Sequence, residues 1–204
     1  MSEPAVFTLV RHGETPANTG GVWHGSSDTP LSDRGHRQAE SVAAHLAETH
    51  GDAAALYSSP LERARHTAAP IGRELSLTPE VVPGLSELDL GSWEGETYEA
   101  LLKEHEFWQN MKRDPDFKPH GGESARDMVG RFEGALREID AQHAGGRVIV
   151  VSHGGAMSIF MSAVLRGRMG EWYEPMQNCA VSELVLRPEP ELRRFNVVDH
   201  LDGV

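Results

Sequence analysis

Apolar, β-branched runs alternate along this chain with segments whose apolar residues return every three or four positions. The first run, Ala5-Val6-Phe7-Thr8-Leu9-Val10, has the length and residue types of a buried strand. A polar, Gly-rich loop over 13–31 follows it. Ser32 or Asp33 then caps a predicted helix to about residue 50, with Ala39, Val42, Ala43 and Leu46 on one face. A second strand is expected over 53–58, after which Pro60 opens a helix carrying Arg63, Ala64, Thr67, Ala68 and Ile71. Residues 77–82 read as a third strand, 85–95 as irregular, 98–111 as an aromatic-rich helix and 112–122 as a loop. A long helix is predicted over 124–143. The most apolar strand, around Val148-Ile149-Val150-Val151, spans 147–152, and a helix over 154–166 returns from it. Segments 180–186 and 191–197 form a terminal antiparallel hairpin, with 187–190 as its turn. The alternation predicts an α/β fold of three layers, α/β/α. Its mostly parallel sheet has about six strands, one of them antiparallel, with helices on both faces.

Neither a repeat nor a low-complexity linker interrupts this pattern, so residues 1–204 read as one domain. The formal net charge of −12 opposes general binding to nucleic acid or an anionic membrane, which needs basic surface. A local Arg/His pocket can still receive a small anion. With Cys179 as the sole cysteine, no intrachain disulfide forms and no oxidising compartment is implied. Met1-Ser2-Glu3-Pro4 has no signal-peptide pattern, and no run approaches membrane-span length, so a cytoplasmic enzyme is expected.

Chemistry-bearing side chains gather where the predicted strands end. Arg11-His12-Gly13-Glu14-Thr15 follows the first strand. In open α/β sheets that edge is where ligands bind. Arginine offers bidentate contacts to an oxyanion, and a neutral histidine is a nitrogen nucleophile. Ser58-Ser59-Pro60-Leu61-Glu62-Arg63 places a second arginine in the first turn of a helix, a favourable place for anions. Residues 85–95 hold Glu87, Asp89 and Glu94 beside Trp93. Ser152-His153-Gly154-Gly155 repeats the strand–histidine–glycine–helix pattern. Two imidazoles and two guanidiniums can thus surround one tetrahedral anion.

These motifs, in this order, resemble the histidine phosphatase superfamily, with its phosphoglycerate-mutase-like fold, over nearly the whole chain. Arg11-His12-Gly13-Glu14-Thr15 with Asn18 is similar to the family's nucleophile motif, and Asp28-Thr29-Pro30-Leu31-Ser32 with Gly35 to the loop after it. Tyr57 through Ala64 with Thr67-Ala68, the Leu88/Gly91/Trp93-Glu94-Gly95 frame, Pro119 with Gly122-Glu123-Ser124, and Ser152-His153-Gly154-Gly155 complete the match. The resemblance implies a phosphomonoesterase, a phosphoric monoester hydrolase of histidine-acid type, in which His12 becomes phosphohistidine. Arg11, Arg63 and His153 would hold the non-bridging oxygens. Glu87, with Asp89 as local competitor, would serve as general acid and then general base. Asn18, His24, Gly25 and Gly154 are expected phosphate or substrate contacts. Neither cofactor nor metal is expected, because Arg and His supply the cationic charge and no His-Glu-x-x-His spacing occurs. The expected partner is a small phosphate monoester, with a homodimer suggested by family analogy alone.

Several assignments stay open in the sequence. His24, where many relatives carry Gln, is either a substrate contact or part of a packed aromatic loop with Trp23. His105, Phe107, Trp108 and Met111 either line the leaving-group side or face the core. Cys179 reads as buried filler. Segment 96–121 is read as the variable wall of the substrate pocket. It carries only Lys103, Lys112, Arg113 and Lys118 as cations, which favours a phosphatase over a phosphoglycerate mutase; a regulatory or protein-phosphatase role ranks third. A neutral His12 and a protonated Glu87 predict a bell-shaped pH profile falling on the alkaline side.

Overall fold

The computed structural model describes residues 3–118 and 121–204. Its strands are β1 (Val6–Arg11), β2 (Ala53–Ser58), β3 (Glu80–Val81), β4 (Arg147–Ser152), β5 (Val181–Val185) and β6 (Glu191–Val197). They form one sheet in the order β3-β2-β4-β1-β5-β6. Strands β1 to β4 are parallel. Strand β5 pairs antiparallel with both β1 and β6 and alone runs against the rest. The expected mixed sheet is therefore present.

Both faces of the central strands are buried, and their side chains alternate between two cores. Phe7, Leu9, Val148 and Val150 join one core with Met128, Phe132 and Leu136 of α6 (Ala125–Gln142) and Phe160 of α7 (Gly154–Arg166). Val10, Leu56, Ile149 and Val151 join the other with Val42, Ala43 and Leu46 of α2 (Asp33–Thr49) and Ala64, Ala68 and Ile71 of α3 (Glu62–Leu75). The Ser32 hydroxyl accepts the Gly35 N–H and caps α2; Ser124 and Asp127 form a reciprocal box at the start of α6. Gly13 and Gly35 let the loop after β1 lie against α2, because a Cβ on Gly13 would come 2.6 Å from the Gly35 carbonyl oxygen.

Four expectations need correction. Helix α3 starts at Glu62, so Pro60 precedes its cap instead of opening it: the Ser59 hydroxyl accepts the Leu61 N–H at 3.3 Å and makes a turn first. Strand β3 has two residues, because the Leu77 N–H folds back to the Gly72 carbonyl at 2.9 Å and Pro79 has no N–H to give. The aromatic helix is two helices, α4 (Tyr98–Lys103) and α5 (Phe107–Arg113), separated at Glu106 with φ 45°. The polar loop contains a short helix, α1 (Pro16–Thr19), closed by a Thr15/Asn18 capping box. Pro119 of the sequence motif lies outside the described residues. Among those described, no helix is long and apolar enough to cross a membrane.

Candidate active site

The register between β1 and β4, ending at Arg11 opposite Ser152, puts the next residues, His12 and His153, side by side. The His12 N–H donates to the Ser152 carbonyl and the Ser59 N–H to the Val151 carbonyl, both at 3.0 Å, so three neighbouring strands end at one edge. The two imidazole centroids are 5.2 Å apart. His12 is 4% exposed, and its Nδ1 lies 2.7 Å from the Gly13 carbonyl. A carbonyl only accepts, so Nδ1 carries the proton and Nε2 keeps its lone pair. Burial, together with the Arg11 and Arg63 charges, holds the His12 pKa well below the usual histidine value. The imidazole is therefore neutral and nucleophilic at physiological pH. Burial and then Arg63 do the same to His153, whose Nε2 meets the Ser59 hydroxyl at 2.7 Å.

Both guanidiniums are buried against their preference, and burial lowers their pKa values while the Glu87 charge works in the opposite direction. Arg11 donates from Nη1 to the Met176 carbonyl, and its buried Nε has no protein partner. Arg63 donates to the Ser27 and Gly25 carbonyls, each at 2.8 Å, and lies 3.6 Å from Asp28. These are charges poised for an anion.

Glu87, 6% exposed, takes backbone donors on both oxygens. Oε1 accepts from Leu88 at 2.9 Å and Ala156 at 2.6 Å; Oε2 accepts from Gly155 at 3.0 Å. Two of these amides belong to the first turn of α7. Oε1 has both lone pairs engaged, so a proton on this carboxyl sits on Oε2. Arg131 fixes the segment that carries Glu87. It donates to the Gly84, Ser86 and Glu87 carbonyls at 3.0, 2.9 and 2.7 Å and forks onto Glu123 at 2.6 and 2.7 Å. Asp89 instead accepts from the Gly91 N–H and the Ser26 hydroxyl. Glu94 pins the 26–27 turn through the Ser26 and Ser27 N–H groups.

One cavity of about 590 Å³ is lined by Arg11, His12, Arg63 and Glu87, and by Asn18, His24, Gly25 and Gly154. All the sequence-selected side chains except His153 reach it, and His153 sits beside His12 at its buried side. Asn18 spends Oδ1 on the Thr15 N–H and on Asn178 Nδ2, both at 3.1 Å, which leaves its own Nδ2 for the cavity. Asn178 also donates to the His12 carbonyl at 3.0 Å. Neither Asn178 nor Arg131 was selected from the sequence. Each acts across more than forty residues, and only the isolated polar residue before Cys179 or within an apolar helix face hinted at them.

On the leaving-group side, the alternatives left open by the sequence fall to packing, and the expected wall of segment 96–121 is largely replaced. Phe107 and Met111 are core residues, His105 stacks on Trp93 at 4.1 Å, and Trp108 lies behind Trp23 at 4.7 Å. Among the described residues of segment 96–121, Tyr98 alone lines the cavity; the rest of that wall is Trp172, Pro175 and Met176. Cys179 is buried, its thiol pKa is pushed up by burial, and its N–H donates to the Arg11 carbonyl at 3.0 Å. It is a structural residue. Among the described residues no group of three or more His, Cys, Asp or Glu is placed to hold a metal ion.

A mixed sheet with two neighbouring strand-end histidines, each followed by glycine, defines the phosphoglycerate-mutase-like class of α/β proteins. The chain matches the histidine phosphatase superfamily, branch 1, over residues 7–198, and belongs to that family. It is 34% identical over 202 residues to the bifunctional protein Rv2228c of Mycobacterium tuberculosis, covering 97% of this chain and 55% of that one. The chain thus spans about half the length of those mycobacterial relatives. It is also 34% identical over 211 residues to a metal-independent phosphoserine phosphatase of Arabidopsis thaliana, covering 100% of this chain and 86% of that one. The solved structure of mycobacterial glucosyl-3-phosphoglycerate phosphatase Rv2419c superposes with a TM-score of 0.84 at 28% identity, covering 96% of this chain and all of that one.

Proposed function

We propose that the protein is a metal-independent phosphomonoesterase that passes the phosphoryl group of a small phosphorylated metabolite to His12 and then to water. The observation that carries this reading is the neutral His12, with Nε2 unprotonated, on the wall of a cavity shared with two buried guanidiniums and a carboxyl group. Nε2 attacks phosphorus as the ester P–O bond breaks. Glu87 gives its Oε2 proton to the departing alkoxide. Arg11 and Arg63 balance the charge spread over the equatorial oxygens, while the neutral His153 packs beside His12 and holds its ring in place. Glu87, now a carboxylate, takes a proton from water as the water oxygen attacks phosphorus. The P–N bond breaks and His12 is restored.

Two phosphatase relatives support hydrolysis, and the cations of segment 96–121 favour it over transfer to a second anionic substrate. Lys103 pairs with Glu99, Lys112 with Glu171 and Lys118 with Asp127, while Arg113 bonds Asn110; none lines the cavity. The test is phosphate release from a panel of monoesters with chelator present, by wild type and His12→Ala, beside a mutase assay on 3-phosphoglycerate. Chelator-resistant release that vanishes in His12→Ala is expected. Mutase turnover without phosphate release would overturn the reading.

A further inference from the structure

We infer that the alcohol half of the substrate is uncharged and carries a flat aromatic ring. This inference rests on the phosphatase reading above and concerns the opposite end of the same cavity. Among the described residues lining it, Arg11 and Arg63 are the only Lys or Arg side chains, and a phosphate monoester dianion matches both charges. A carboxylate on the leaving group would enter the cavity without a cationic partner, in a chain of net charge −12. Such an ion loses its hydration without gaining an ion pair in return. The cations nearest in sequence to the Trp172 wall are engaged elsewhere: Arg168 faces Glu171 at 3.5 Å, and Arg166 covers the Tyr173 ring at 3.8 Å.

What the wall offers instead is π surface. Trp23 lies parallel to Tyr98, with centroids 6.2 Å apart and planes 3° apart, and edge-on to Trp172 at 5.5 Å. Trp108 backs Trp23 at 4.7 Å, so the indole is fixed before any ligand arrives. Two polar atoms on lining residues, Trp172 Nε1 and His24 Nδ1, are buried with no partner. An indole N–H only donates, and a ring nitrogen, carbonyl or hydroxyl can satisfy it without bringing a second charge into the cavity. The cavity, at about 590 Å³, falls within the range that holds a ring-bearing ligand, roughly 300–1,000 Å³.

The experiment compares kcat/KM for phosphates of primary alcohols of similar intrinsic reactivity: benzyl phosphate and a nucleoside 5′-monophosphate against O-phosphoserine and glycerol 3-phosphate. The ring-bearing pair is expected to exceed phosphoserine by roughly tenfold or more. Tyr98→Arg places a cation at the rim, on a side chain 45% exposed. It is expected to move the phosphoserine-to-benzyl phosphate ratio up by about tenfold, a gain that misfolding cannot imitate. Phosphate release with phosphoserine equal or preferred in wild type, or a ratio unmoved in Tyr98→Arg, would overturn the inference and leave the phosphatase reading standing. No release from any member of the panel would overturn the phosphatase reading itself.

Discussion

Gly155→Ala puts a methyl group against the proposed general acid. A Cβ built on Gly155 lies 2.8 and 3.0 Å from the two Glu87 carboxyl oxygens and 2.7 Å from Trp23 Cζ2. Ordinary contact begins at 3.4 Å. Trp23 is packed against Tyr98, Trp108 and Trp172, so the carboxyl group is the side that yields, by roughly half an ångström. That retreat stretches its bonds from Gly155 and Ala156, each contributing about 1.5–3 kcal/mol when the acceptor is charged. Overpacking costs about 1–3 kcal/mol of stability. Misplacing the proton donor costs about a hundredfold in kcat for an alkyl phosphate. The loss should shrink to about tenfold or less for 4-nitrophenyl phosphate, whose leaving group departs without a proton. Steady-state kinetics on the two substrates, with urea unfolding to register the strain, provide the check. Equal losses on both, or full activity on the alkyl phosphate, would refute the placement of Glu87 as acid.

Arg131→Met removes the donors to three carbonyls and the fork to Glu123. It should cost about 2–4 kcal/mol in urea unfolding and lower kcat more than it raises KM. Arg131→Lys, which lacks the fork, should recover only part of that loss; unchanged kcat in Arg131→Met would show that the acid loop holds itself. Folding lowers the pKa values of His12, His50, His153 and His200, so below pH 6.5 the unfolded chain takes up protons that the folded chain does not. Stability is therefore full above pH 6.5 and falls as the pH drops from there towards the lowered folded values, by up to about 1.4 kcal/mol per pH unit for each coupled histidine. Denaturant titrations from pH 7.5 to 5 measure this, and a flat profile would contradict it. Cys179 should resist an aromatic disulfide reagent in the folded protein and react at once in urea, because burial raises its thiol pKa.

The two histidine motifs were legible because each ends a continuous apolar strand, and a strand buried on both faces has a recognisable composition. Arg11 and Arg63 stood out by their places at a strand end and a helix start, whereas Glu87, one of three carboxylates in an irregular loop, was singled out only by the family resemblance. The leaving-group wall was not legible. Trp172, Pro175 and Met176 belong to a connection without regular structure, and nothing local says that it folds back over α1 and the loop after it. Helices α4 and α5 were merged because their boundary, Glu106 at φ 45°, carries neither glycine nor proline to mark it. Arg131 sits on a helix whose periodicity explains its neighbours but not its own reach to carbonyls more than forty residues away.

The proposed mechanism requires His12 to carry the phosphoryl group. Rapid-quench trapping during turnover of a good substrate, followed by peptide mass spectrometry under alkaline conditions, tests it most directly. An acid-labile, base-stable phosphate is expected on the peptide containing His12, formed within one turnover and absent in His12→Ala. Turnover with no phosphoenzyme, or a label that persists on another residue when His12 is replaced, would contradict it.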